Sequence, residues 1–485
     1  MNRSNMEASD RAITPGADFL QLDVAEAPSG GRADWLAGRL REAIAAGRLP
    51  VGSRLPASRV LAADLRVSRG VVTEAYQRLA EEGHVAGRGR GGTVVVGAPV
   101  TAPPAPPAAR PAGALFAGPP TTEIFDALRT APARIDLTPG LPDLAAFPRT
   151  AWLRAERAVL ARLSAPDFGY GDPRGTPALR VAVANWLARN RGVRAEPDEI
   201  VIVAGTAQAL GLLCHVLRED GVSTVAVEEP GSLGVRQHLR NGGMATPPVP
   251  VDEQGVRVDR LEAPAVLLTP AHQFPTGVVL GGDRRRALAR WAEAGGLVIE
   301  DDYDAEHRYD RPPVPALRAL LAERVCYAGS VSKLLAPALR TGWTLVPSRY
   351  RDALVAAKRF ADLGNPVLPQ LVLAHLMESG ALERHLRLLR RRHRRRRDAM
   401  IEAIASVLPG AHVHGAAAGL HLTVTFDTAF DDTALAAEAL TRGVKVQPLS
   451  WHRQSPGEPG LVLGYAATTP TEIAEGIATL AGILK

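Results

Sequence analysis

The chain has 485 residues, 46% of them hydrophobic and 22% charged, with a formal net charge of +6. That length exceeds one ordinary core, so two or more domains are expected, and the balance is that of a soluble globular protein and not of a disordered or fibrous one. No apolar run approaches the roughly 18 residues of a membrane span and residues 1–16 lack the apolar centre of a secretory signal, which together point to the cytoplasm. The two cysteines, Cys214 and Cys326, sit inside apolar patterns, so neither a disulfide framework nor a metal centre is expected. The charge is unevenly spread: positions 32–97 hold 11 Arg, no Lys and 6 acidic residues, an excess that suits a polyanion partner.

Residues 1–30 carry no periodic pattern and read as a mobile arm. Leu36, Leu40 and Ile44 then recur every four residues, one apolar stripe on a helix ended by Gly47. A second helix starts near Ser58, carries Val60, Leu61 and Leu65, and stops around Arg66. Ser68 is placed as the N-cap of a third, with Val72, Ala75, Tyr76 and Leu79 facing inward and Arg69, Thr73 and Gln77 outward. Two short helices joined by a tight turn, the second polar on its outer face, make a helix-turn-helix. The following HVAGRGRGGTVVV supplies strands at 84–86 and 93–96 around a basic glycine turn, a two-stranded wing with Arg88 and Arg90 at its tip.

The stretches GRLPVGSRLPASRVLA, VSRGVVTEAYQRLAEEG and RGRGGTVV resemble the winged-helix domain of GntR-type regulators across residues 30–98. The resemblance implies promoter DNA as partner. Arg59 and Arg69 would approach base edges or phosphates, Ser68 and Thr73 would belong to the recognition helix, and Arg88 and Arg90 would lie with the wing against a groove. A bidentate arginine–guanine contact is worth roughly 1–3 kcal/mol of discrimination.

Residues 99–121 are rich in Pro and Ala and nearly uncharged, which predicts an extended, semi-rigid spacer. From 122 to 485 short apolar runs alternate with helical stretches. Strands are expected at 200–204, 224–227, 266–269, 297–300, 325–328 and 343–346, with helices at 207–217, 233–240 and 284–294 between them. Strands apolar on both faces belong to a mostly parallel sheet covered by helices, with the ligand at the strands' carboxyl ends. The fold class is α/β, with a smaller α+β subdomain at about 350–485.

Four stretches carry chemistry. AGTAQ (204–208) is a strand, a turn and a helix start, an exposed set of amides suited to an anion. TPAHQFPTG (269–277) leads into a tight turn, and EDDYD (300–304) clusters carboxylates at a strand end, where they need a cation or a solvated mouth. The last is GSVSK (329–333), which puts Lys333 just beyond an apolar strand. Each is ordinary loop chemistry by itself. In this order and spacing they resemble the fold-type I pyridoxal phosphate enzymes over 136–485, and with the N-terminal module the whole chain resembles the MocR-type subfamily of GntR-family regulators.

That resemblance implies a Schiff base between Lys333 and pyridoxal 5'-phosphate. Asp301 would pair with the ring nitrogen, Tyr303 would reach the phenolic oxygen, and Gly205, Thr206, Ala207, Ser330, Ser332 and Arg340 would hold the phosphate. Tyr170, in FGYGDPRGTPALR, matches a tyrosine contributed by the other subunit, which implies a homodimer. The physical chemistry agrees: a desolvated lysine beside other cations becomes nucleophilic, and a carboxylate at the ring nitrogen keeps it protonated.

Three positions depart from the family pattern. Ser232 stands where an aromatic residue commonly stacks on the cofactor. Phe274 stands where aminotransferases have an Asn, whose hydrogen bond is lost although His272 and Gln273 are nearby. Val462 stands where aminotransferases carry the arginine that clamps a substrate carboxylate. These favour a regulator that senses pyridoxal phosphate or an amino compound, with residual transamination left open. The alternatives are an active aminotransferase with an appended winged helix, and a cofactor-free dimerisation scaffold. The run from Arg390 to Arg397 circles a whole helix, so a structural role is expected, with some arginines paired to acids or laid along apolar neighbours.

Overall fold

In the computed structural model, which describes residues 22, 24–28, 30–89, 92–97, 112–310 and 314–484, the chain divides into two units, 1–108 and 109–485. The first is built on α1 (Arg32–Ala45), α2 (Ser58–Asp64) and α3 (Arg69–Glu81). The four-residue spacing buries Leu36, Leu40 and Ile44 of α1 against Leu61, Val72, Ala75 and Leu79. Arg66, left-handed at φ 53°, turns the chain between α2 and α3. Ser68 occupies the N-cap position of α3 with extended backbone, but its side chain makes no capping bond.

The wing is a hairpin of β1 (Val85–Gly87) and β2 (Thr93–Val95), with Val85 opposite Val95. A third extended run, unforeseen, joins it: Leu55 N–H donates to Thr93 O and Val95 N–H to Ser53 O, both at 2.9 Å. Part of the expected arm also packs, since Leu22 and Val24 lie against this core and Glu26 pairs with Arg39. Residues 1–21 and Arg90 lie outside the described residues.

The second unit follows the expected alternation. After β3 (Ile135–Asp136) come β4 (Val201–Val203), β5 (Val225–Glu229), β6 (Pro248–Asp252), β7 (Gly255–Val256), β8 (Ala265–Leu268), β9 (Leu297–Asp302), β10 (Val325–Ser330) and β11 (Gly342–Leu345). Eight of them form one sheet in the order β4-β11-β10-β9-β8-β5-β6-β7, parallel from β10 through β6, with β11 antiparallel to both its neighbours. Successive residues divide between two covered faces: Val225, Val227, Leu267, Leu297, Ile299 and Cys326 enter one core, while Ala226, Val266, Leu268, Val298 and Val325 enter another. Double coverage is why these strands read as unbroken apolar runs.

The smaller core differs from the expected 350–485. Its sheet runs in the order β12-β13-β16-β15, from β12 (Ala411–His414), β13 (His421–Phe426), β15 (Gln447–Pro448) and β16 (Gly460–Gly464), while β14 (Val444–Lys445) pairs with β3. Residues 112–137 join it, through Leu115, Phe116, Ile124, Leu128 and Ile135, whereas Leu354 and Leu373 pack with the large sheet. Positions 98–111, most of the expected spacer, lie outside the described residues. Its end does not: Ala112–Phe116 is a helix, and Phe116 stacks on Trp451 with ring centroids 5.2 Å apart. The pair Leu115–Phe116 gave that stretch apolar surface to bury, and this outweighed the Pro/Ala character around it. No helix among the described residues is long and apolar enough to cross a membrane.

Candidate functional site

The acidic end of β9 shows how strand alternation distributes charge. Glu300 accepts the backbone N–H groups of Leu317 and Arg318, both at 2.9 Å. Asp302, on the same side of the strand, pairs with buried Arg191 (Nε to Oδ2, 2.6 Å) and accepts from the Tyr327 hydroxyl. Asp301 faces the other way, onto a cavity of about 480 Å³. Its carboxylate has one long hydrogen bond, 3.5 Å from the Thr206 hydroxyl, and no ion pair among the described residues. Burial, then the nearby Asp302 and Asp304, push its pKa up to about 7 against the pull of Lys333.

Lys333, three residues past β10, lines the same cavity and its ammonium donates to Gly140 O. Burial lowers its pKa, with Asp304 and Asp301 resisting. Gly140, at φ 89°, was not singled out in the sequence; a Cβ there would meet Lys333 Nζ at 3.3 Å, so glycine keeps that approach open. Further along the wall, Gly205 leads into the helix Thr206–Glu219 at φ 85°, and the Arg340 guanidinium lies beside it, donating to Ala204 O. Ser330 Oγ donates to Ser332 Oγ at 2.8 Å and accepts Ser332 N–H at 3.1 Å. A helix N-terminus, two hydroxyls and an arginine give one end of the cavity groups suited to an anion.

Tyr303 also lines it, donating its hydroxyl to His272 O at 3.1 Å. His272 Nδ1 lies 3.0 Å from that hydroxyl and 2.9 Å from Asp304 Oδ2, and burial with Asp304 holds the phenol well above its ordinary pKa. His272 is thus engaged from below and does not line the cavity, nor does Gln273, which bonds Thr276 and Pro230. Neither stands in for the Asn lost at Phe274. His272, Asp304 and His421 bring possible ligand atoms within 4.8 Å of one another, although His272 and Asp304 are bonded to each other and His421 Nε2 is 3.1 Å from Pro275 O.

The departures have local causes. Ser232 caps the helix Leu233–Asn241 by accepting Val235 N–H at 3.3 Å. Aromatic surface on the wall comes from Phe125, Tyr303 and Phe274, the last 4.8 Å from His421 and 4.9 Å from His452 between ring centroids. Burial drives the pKa of both histidines down to about 3. Val462 is buried in β16, outside the cavity lining. Tyr170 is 95% exposed and does not line the cavity within its own chain. In the N-terminal unit Arg59, Ser68, Arg69, Thr73 and Arg88 are all exposed, with Arg69 Nε 3.4 Å from Ser58 Oγ and the Thr73 hydroxyl donating to Arg69 O at 2.9 Å.

The profile of the class I and II aminotransferases matches residues 134–480, and that of the bacterial regulatory proteins of the gntR family matches 33–95. The chain is 34% identical to the probable rhizopine catabolism regulatory protein MocR of Rhizobium meliloti, over 91% of each. It is likewise 34% identical to the pyridoxine biosynthesis transcriptional regulator PdxR of Corynebacterium glutamicum, over 88% of this chain and 90% of the relative. This chain belongs to the MocR-type subfamily of GntR-family transcriptional regulators. Among solved structures, a kynurenine aminotransferase of Pyrococcus horikoshii crystallised with PMP superposes with a TM-score of 0.68 at 28% identity, covering 75% of this chain and 94% of that one.

The aminotransferase fold of the MocR-type chains implies pyridoxal phosphate, and the residues present fit it. Asp301 is a buried carboxylate facing the cavity with no ion pair among the described residues, Lys333 is a part-buried amine, and the end suited to an anion lies on the same wall.

Proposed function

We propose that this regulator holds pyridoxal phosphate at Lys333 and changes its hold on promoter DNA when that cofactor, or an amino compound reacting with it, occupies the cavity. Bound there, the cofactor supplies an electrophilic aldehyde carbon that captures primary amines. Lys333 presents the amine for it, Asp301 holds a proton at the ring nitrogen, and Tyr303 hydrogen-bonds the phenolic oxygen. Gly205, Thr206, Ala207, Ser330, Ser332 and Arg340 hold the phosphate, its charge met by Arg340 and the helix N-terminus. Arg59, Ser68, Arg69, Thr73, Arg88 and Arg90 make the DNA contacts. The observation that carries the reading is the presence on one cavity wall of Lys333 and of a carboxylate, Asp301, whose pKa burial raises to about 7 and which has no ion pair among the described residues.

Two finer features belong to the same reading. Tyr170 reaches the phosphate of the partner's site, so the working unit is a homodimer; its near-complete exposure within one chain supports this. The protein acts in the cytoplasm, where its DNA is. With Val462 at the clamp position and buried, the amino effector is not gripped as an aminotransferase grips an α-carboxylate.

The test is a gel shift on the chain's own upstream DNA, with and without pyridoxal phosphate and a panel of amino acids and amines, alongside visible spectra. Wild type should be yellow with cofactor, Lys333→Ala colourless, and one effector should alter the shift only in wild type. Steady turnover of an amino donor with a 2-oxo acid, without any effect on DNA binding, would instead support the aminotransferase. A wild type that stays colourless with cofactor leaves the scaffold.

A further inference from the structure

The helix Ala381–Val407 carries nine arginines against Glu383, Asp398 and Glu402, a net +6 that equals the charge of the whole chain. The fold separates them. Arg390 and Arg394 donate to the carbonyls of Glu306 and Tyr309 at 2.9 and 2.7 Å, and Arg392 and Arg396 pair with buried Asp143 at 2.7 and 2.9 Å. Arg397 lies over the Tyr309 ring, and Arg384 bonds Ser379 O. These are the structural arginines that a run circling the helix requires.

Arg387, Arg391 and Arg395 are different. All three are exposed, and none has an ion pair or hydrogen bond among the described residues. Four-residue spacing sets them on one face, about 6 Å apart and about 12 Å end to end. Like charges four apart repel and weaken a helix. On other helices here, exposed arginines meet an acid one turn away, as in Arg78–Glu74, Arg286–Asp283 and Arg442–Glu438. The acids near this row are taken or distant: Glu383 pairs with Arg189, Asp398 with Arg397, and Glu402 lies almost two turns beyond Arg395. The row therefore carries a repulsion that nothing among the described residues relieves.

We propose that Arg387, Arg391 and Arg395 form a second DNA contact, on the large unit, that binds backbone phosphates beside the segment held by the winged helix. The inference rests on the chain being a DNA-binding regulator. Duplex DNA presents one negative charge per about 1.7 Å of axis, so a row of about 12 Å meets several. Guanidinium also suits phosphate, offering paired donors where lysine offers a point charge.

Fluorescence anisotropy with the full chain tests this on two duplexes from its own upstream region, without cofactor and across a salt series. One duplex is trimmed to the winged-helix footprint, and the other is extended by about two helical turns at each end. In R387Q/R391Q/R395Q the log–log salt slope on the extended duplex should become shallower by about 2.7, from roughly 0.9 per phosphate. The trimmed duplex should bind both proteins alike, and the corresponding triple lysine variant should keep most of the wild-type slope. The substitution removes repulsion, so the helix should persist, which circular dichroism checks. An unchanged slope on the extended duplex overturns the proposal, and so does an equal loss on the trimmed one. Binding to phosphatidylserine vesicles that the variant loses, with an unchanged DNA slope, overturns it in favour of a membrane surface. If wild type binds neither duplex, the regulator reading itself falls.

Discussion

The two units handle charge in opposite ways. In the first, the described residues assigned to DNA are exposed, and the side chains of pairs such as Arg41–Glu82 and Arg78–Glu74 are 38–55% exposed. In the second, Arg191, Asp302 and Asp301 are taken out of water and Lys333 is partly so. A pair of unit charges about 4 Å apart is worth about 1 kcal/mol in bulk water and several-fold more at the effective dielectric of a protein. The DNA surface should therefore answer to salt and hardly to burial, whereas the cavity should answer to pH and to the loss of single partners.

The largest effect expected is at Arg191. Replacing it with Met leaves buried Asp302 with the Tyr327 hydroxyl as its one side-chain hydrogen-bond donor among the described residues, and breaking such a pair costs about 3–5 kcal/mol. Denaturant titration should show that loss at low and high salt alike. A loss below about 1 kcal/mol would put this pair in the same class as the surface pairs and break the contrast between the units.

Asp301 tests the cavity through pH. Its folded pKa of about 7 lies above an ordinary value near 3.8, so the folded state binds the proton more tightly. The stability this lends is complete below the unfolded value and is lost as pH rises through about 7. Between about pH 5 and about pH 8 the cofactor-free wild type should lose about 2–3 kcal/mol relative to Asp301→Asn. Groups that do not feel Asp301 cancel in the difference, and Glu228, which Asp301 helps to push up, adds to it in the same sense. Added pyridoxal phosphate should shrink that difference, because the ring nitrogen gives Asp301 the cation it lacks. A gap that stays flat with pH would show that Asp301 is solvated.

How legible each part was in the sequence follows the range of the interactions that build it. The strands of the large sheet are local patterns: an unbroken apolar run such as Leu297–Ile299 announces cover on both faces whatever covers it. Strand β6, which begins Pro-Val-Pro, has no such run and escaped, since two prolines argue against a strand until its position near the sheet edge is known. Lys333, Asp301 and the turn at Gly205 could be read because each sits at the end of one strand. Gly140 could not, because its carbonyl meets Lys333 across 193 residues of chain. The clasp of His272 and Asp304 on Tyr303 was equally hidden, for nothing local in AHQF shows that this histidine already has two partners 31 and 32 residues away. The arginine run was half legible: periodicity required some members to turn inward, but Asp143 and the carbonyls of Glu306, Tyr309, Ala416 and Ala466 decide which.

The smallest effect, at Arg69, isolates the other side of the contrast. Its guanidinium is exposed and its one hydrogen bond among the described residues, 3.4 Å to Ser58, is long, so Arg69→Ala should leave thermal unfolding within about 0.5 kcal/mol of wild type. Operator affinity should nevertheless fall by about 1–2 kcal/mol, and the salt slope should lose about 0.9 if the contact is to a phosphate. A contact to a base edge predicts a different pattern: the slope stays, and discrimination between operator and mutated operator falls instead. Both outcomes leave the visible spectrum of the cofactor-loaded protein unchanged, since the substituted residue and Lys333 lie in separate units. A variant that binds its operator as wild type does would remove Arg69 from the recognition surface, and Arg59 and Arg88 would then be the arginines to test.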